Sequence, residues 1–166
     1  MSFNIVNNAF VSFAVYSEVT ARDQRFFEAN EGITELQVND LLAQASDRIL
    51  SKLKSTDWWA DYQFKRDNSL QRDLRLVPDV NPLRIKGSEQ DFKDLNIYFV
   101  MAEYLLPRVA DWSNEADTNK INFYKDQFMA LFKELVEDGS WYDYDADGTI
   151  ETAEKQPSRV NLVRVR

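Results

Sequence analysis

Residues 34–54 read TELQVNDLLAQASDRILSKLK, and this stretch decides the fold class. Thr34 carries an N-cap hydroxyl, and Gln37 stands three residues on, which together make a capping box. Ile33 and Val38 fall at the two positions of a hydrophobic staple. Val38, Leu41, Leu42, Ala45, Ile49 and Leu53 then recur at three- and four-residue steps, the spacing of one apolar helix face. Such a helix cannot bury its stripe alone, so partners of the same kind are expected further along the chain.

Two appear. Ser88 can cap a helix with Asp91 at its third position, and Phe92, Leu95, Phe99, Ala102 and Leu106 mark its apolar face. Pro107 is expected to kink or end it. A third helix is predicted from near Asn114, with Asp117 in its first turn and a stripe of Ile121, Tyr124, Phe128, Leu131, Phe132 and Leu135. Gly139 stops it as a left-handed cap residue. The expected fold is mainly α, a small bundle of three or more amphipathic helices forming one domain over 33–140. Residues 1–32 are expected to be an extended or irregular segment, because Phe3, Ile5, Val11, Phe13 and Val15 alternate.

The segment between the first two helices is less regular. Residues 65–86 hold Lys65, Arg66, Arg72, Arg75, Arg84 and Lys86 against Asp67, Asp73 and Asp79, a net charge of +3. Pro78, Pro82 and Gly87 break any helix there. The basic stretch 65–87 reads as a solvated surface loop or short hairpin, with contact to a partner or nucleic acid as the sharper alternative.

Composition narrows the chemistry. The 166 residues include neither Cys nor His. Disulfides, zinc–thiolate sites, iron–sulfur clusters, Ser-His-Asp triads and imidazole proton shuttles are all excluded. Oxygen-ligated metals are not. All 28 acidic residues lie at or before Glu154 and four of the 20 basic ones lie after it, which leaves −12 on the first 154 residues and +4 on the last twelve. An acidic body argues against DNA or an anionic membrane as the main partner, and a basic end argues for an interaction arm. No stretch is long and apolar enough to span a bilayer, and residues 9–16 lack the basic flank and cleavage pattern of a signal peptide. A soluble, unexported protein is expected.

One motif carries chemistry. Residues 143–154 read DYDADGTIETAE. Asp143, Asp145 and Asp147 stand at positions 1, 3 and 5 of a calcium loop of the EF-hand type, Gly148 at 6, Thr149 at 7, Ile150 at 8, Glu151 at 9 and Glu154 at 12. Alternate carboxylates on a tightly curled backbone converge on one point. Gly148 permits the turn, Thr149 offers its carbonyl, Ile150 packs inward and Glu154 closes the shell. The predicted ligands are therefore Asp143, Asp145, Asp147, Thr149, Glu151 and Glu154, with a structural Ca2+ as the expected ion. Gly139, Ser140 and Trp141 interrupt the helix that would enter such a loop, Pro157 cuts short the one that would leave it, and no second loop pairs with it. A structural role is expected rather than a sensor's.

The segment 155–166 follows as a basic arm. Arg159, Arg164 and Arg166 interleave with Val160, Leu162, Val163 and Val165, a β-type pattern that could add to a sheet edge of its own domain or dock on another protein by strand addition. The charge reversal tips the reading toward a partner, with Arg159, Val160, Leu162, Val163, Arg164, Val165 and Arg166 as the contact residues. A carboxylate-only hydrolase is the remaining enzymatic possibility, but its paired acids would have to face each other across a cleft, and Asp143 and Glu154 share one loop. No enzyme is expected.

The order of parts resembles a known family. A helix opening on TELQ precedes a Trp-rich turn. Two helices follow, carrying YFVMAEYLLPRVADWSNEAD and KINFYKDQFMALFKELVEDGSW, then a YDYDADGTIE loop and an RVNLVRVR end. Over residues 33–166 this is similar to the head–tail connector (adaptor, or head-completion) proteins of tailed bacteriophages. The resemblance implies a structural subunit of the virion neck, assembled in the host cytoplasm. Its copies would form a closed homo-oligomeric ring, of about twelve, that meets the portal protein and a downstream neck or tail protein. DNA would pass through the ring without specific binding, and the arm Arg159 to Arg166 would be the portal-docking element. The alternative is a small calcium-binding or scaffold module of a bacterial complex.

Overall fold

The computed structural model describes residues 3–30, 32–111 and 113–156. The chain is mainly helical, with one two-stranded sheet. It divides into two compact units, one built from residues 3–49 and 89–131, the other from 50–88 and 132–156. The division falls inside two of the long helices rather than at a linker.

The first unit opens with a hairpin of β1 (Asn4–Val6) and β2 (Ala9–Ser12). Asn7 and Asn8 make its two-residue turn, both at positive φ (51° and 63°), a conformation asparagine tolerates and hairpins favour. Beyond it the expectation of an extended segment to residue 32 gives way to two short helices, α1 (Tyr16–Arg22) and α2 (Gln24–Ala29). Glu18 reaches back to the Val15 N–H at the start of α1, and Asp23 accepts from the Phe26 N–H at the start of α2. These acids compensate for a sequence whose apolar spacing looks strand-like.

Helix α3 (Glu35–Lys54) begins with both halves of the capping box: Gln37 N–H donates to Thr34 Oγ1 at 3.4 Å, and Thr34 N–H to Gln37 Oε1 at 3.2 Å. All six residues of its stripe are buried. Helix α5 (Glu89–Val100) buries Phe92, Leu95 and Phe99 and continues into a π-helical turn, Met101–Leu105, and then α6 (Leu106–Val109). Pro107 therefore does not end the helix. Its ring excludes a regular bond to the carbonyl four residues back, and the backbone widens just ahead of it, so that the Leu106 N–H reaches Met101 O. Helix α7 (Glu115–Asp138) starts with Asn114 accepting from the Ala116 N–H and ends at Gly139, whose φ is +59°. Phe99 meets Phe128 edge-on at 5.3 Å, bringing α5 against α7.

A buried polar network ties the hairpin exit to this helical core. Asn96 donates to Leu42 O and Ser46 Oγ and accepts from the Ala14 N–H, while Ser46 Oγ accepts from the Phe13 N–H. Ser46 and Asn96 are fully buried, and their bonds satisfy main-chain groups that would otherwise be stranded away from water.

The second unit holds α4 (Asp57–Arg66), which the sequence reading leaves unassigned although Thr56 caps it on the Trp59 N–H. Residues 67–88 form a chain of short 3-10 turns rather than a hairpin, ending in a single antiparallel bridge between Ile85 and Tyr142. The core of this unit is aromatic. Trp58 and Trp59 stack on Tyr62, Trp141 lies 5.0 Å from Trp58, and Tyr142 stands edge-on to Trp59 at 4.8 Å. Each such pair adds about 0.5–1.5 kcal/mol beyond area burial.

Candidate functional site: the acidic loop and its clamps

The loop 143–154 lies within the second unit and turns tightly. Ala146 and Gly148 take positive φ (66° and 95°). Asp143 is 1% exposed and faces inward, with its two oxygens accepting from the Ala146 N–H at 2.7 Å and the Gly148 N–H at 2.8 Å. Asp145 accepts from the Asp147 N–H, and Asp147 accepts from both the N–H and hydroxyl of Thr149. The bond from the Thr149 N–H holds the Asp147 carboxyl below the usual carboxylate range, so it is ionised at neutral pH.

Asp143, Asp145 and Asp147 converge, each presenting a carboxylate oxygen within 4.8 Å of the others. The other predicted ligands are not part of that three-carboxylate cluster. Glu154 is buried and its carboxylate folds back across the loop, accepting from the Tyr144 and Asp145 N–H groups on one oxygen and from the Glu151 N–H on the other. It ties the end of the loop to its beginning. Thr149 turns its hydroxyl to Asp147, and Glu151 is exposed. The donor set is entirely hard oxygen, which suits Ca2+ or Mg2+ and no softer metal.

Clamps from outside the motif hold both ends of the loop. The Asp143 N–H donates to Arg84 O, and the Arg84 guanidinium donates to Tyr144 O, fixing the first two loop positions. Arg66 donates to Ala153 O and Glu154 O at the far end, with its guanidinium carbon 3.6 Å above the Tyr62 ring. Sequence reasoning places Arg66 and Arg84 in a basic stretch that is either solvated or partner-contacting, and in neither case on the acidic loop. Their function in the loop depends on contacts 60 to 88 residues away, which no local pattern encodes.

The chain then reaches Gln156. Its main-chain oxygen accepts from Trp58 Nε1 at 2.6 Å, its N–H donates to Gly139 O at 2.9 Å, and its side chain donates to Asp61 at 3.1 Å. The predicted partner-binding residues Arg159, Val160, Leu162, Val163, Arg164, Val165 and Arg166 lie outside the described residues. Among the described residues, no helix is long and apolar enough to cross a membrane.

Comparison with protein-family models, curated proteins and solved structures finds no match.

Proposed function

We propose that this chain is a non-enzymatic structural protein of the virion neck, a head-to-tail connector subunit whose basic arm, Arg159 to Arg166, docks on the portal. The observation that carries this reading is the anchoring of Gln156. Trp58, Gly139, Asp61 and Arg66 all hold that residue, so the chain enters its arm from a fixed point on an aromatic core. A strand-forming arm launched from a rigid base is suited to strand addition on a partner. The acidic body suits a wall along which DNA slides without sticking. Asp67, Asp73, Asp111 and Asp147 are each held below the usual carboxylate range, the opposite of what a general acid needs.

The loop 143–154 belongs to this reading as a structural cation site. Asp143, Asp145 and Asp147 would hold a Ca2+ ion, which would neutralise their mutual repulsion and stiffen the segment that leads to Gln156. The same convergence favours the second reading, a small calcium-binding module outside any virion.

The two separate on mixing the purified chain with portal rings. The connector reading expects co-elution in size-exclusion chromatography, lost on Arg164→Glu with Arg166→Glu. Separate elution of the unsubstituted chain, alongside tight Ca2+ binding, would overturn it in favour of the module.

A further inference from the structure

The second unit carries a cleft of about 370 Å3 that the connector reading does not use. Its walls include Gln63, Pro78, Asn81 and the phenol rings of Tyr142 and Tyr144, with the carboxylates of Asp67 and Asp79 beside them. The lining holds two carboxylates and one cation, Arg84, whose guanidinium is already committed to Tyr144 O. We propose that this cleft is a docking surface for an arginine-bearing extended segment, and that its occupant is the chain's own residues 157–166.

The chemistry of the cleft is that of guanidinium recognition. Ser69 holds the Asp67 carboxyl below the usual carboxylate range, so it carries full charge at neutral pH. The Asp79 carboxylate is 87% exposed, and its present partner, Lys54, is itself half exposed. A surface pair of that kind is worth only about 0–1 kcal/mol, and a bidentate arginine can displace it. The same aromatic cluster already accepts one guanidinium, that of Arg66 over Tyr62. The adjoining loop, with Asp143, Asp145, Asp147, Glu151 and Glu154, extends the negative field.

The occupant follows from charge and reach. The last twelve residues carry +4 against −12 on the rest. The chain leaves the described structure at Gln156, in the same unit as the cleft, with ten residues still to come. At roughly 3.3 Å per residue those ten span about 33 Å. In an extended chain Arg164 and Arg166 share a face, matching two carboxylates with two guanidinium groups. Docking there keeps an apolar, strand-forming segment from pairing with other chains until a partner takes it over. The inference stands apart from the connector reading, since a protein that never enters a virion would cover its arm in the same way.

The absence of cysteine allows a clean test on the full chain. Asn68→Cys and Val163→Cys, each carrying a nitroxide, report the separation of arm and cleft by pulsed electron resonance. The expected result is a narrow short-distance population that survives dilution with unlabelled chain. Adding Asp67→Asn and Asp79→Asn should abolish it, because asparagine keeps the turn-forming oxygen but removes the charge. A broad distribution in the parent, or a short population that persists in the double variant, would overturn the proposal. So would a short population lost on dilution, which would give the cleft to the arm of a second copy.

Discussion

The indole N–H of Trp58 donates to the main-chain oxygen of Gln156, 98 residues away, and that oxygen occupies the space a side chain on residue 139 would need. A Cβ on residue 139 would lie 2.0 Å from it, and the residue also holds φ at +59°. Gly139→Ala therefore meets both a steric and a conformational penalty. It should destabilise the protein by about 2 kcal/mol or more, read as a lower urea midpoint. A midpoint within error of the parent would mean that the Gly139–Gln156 contact does not hold in solution.

The network around Asn96 makes a second prediction. Asn96→Ala strands the buried Ala14 N–H and opens a small cavity, and should cost about 3 kcal/mol. Ser46→Ala should cost about 1–2 kcal/mol. Because the two side chains bond each other, the double variant should cost less than the sum, and a thermodynamic cycle of urea unfolding measures the shortfall. Strict additivity would contradict the network.

A third concerns the loop. Asp145 and Asp147 are exposed, so replacing both with asparagine should leave the metal-free fold intact. Millimolar Ca2+ should raise the Tm of the parent by mass action and leave that of the double variant unchanged. Trp58, Trp59 and Trp141 pack in the same unit as the loop, so tryptophan emission should report the binding. Equal response of parent and double variant would remove the cation from the loop.

The fourth is the dependence of stability on pH. Asp67, Asp73 and Asp111 are held low by bonds from Ser69, Arg75 and Ser113, and Asp147 by Thr149. A carboxyl depressed on folding contributes stability that is fully present above its unfolded value, about 3.9, and is lost as pH falls through the folded one. The urea midpoint should therefore hold down to about pH 5 and decline below about pH 4. On the alkaline side, burial pushes the Tyr124 phenol up to about 12, with Asp23 adding to the shift. A phenol raised on folding stabilises below its unfolded value, about 10, and that contribution disappears as pH rises through the folded one. Phenolate absorbance should show Tyr124 ionising with unfolding, and Tyr124→Phe should flatten the alkaline limb.

These predictions separate what could be read in the chain from what could not. The start of α3 was legible because Thr34 and Gln37 are three residues apart and their bonds are local. The Gly148 turn and the convergence of Asp143, Asp145 and Asp147 were legible for the same reason, all lying within five consecutive steps of one another. The Asn7–Asn8 turn also had a local signal, two asparagines between alternating apolar runs, and the first hairpin could have been found from it. The aromatic core could not. Trp58 and Trp141 are far apart in sequence, and neither marks the other. Ser46 and Asn96 fall between: each is a polar residue set into an apolar helix face, Ser46 four residues after Leu42 and Asn96 four after Phe92. That position announces a buried bond without naming its partner.

The measurement that bears most directly on the proposed function is quantitative mass spectrometry of purified virus particles from the source. The connector reading predicts that this chain is present, at about one copy per portal subunit as a matched ring requires. Its absence from particles that contain the portal would contradict that reading and leave the calcium-binding module in its place.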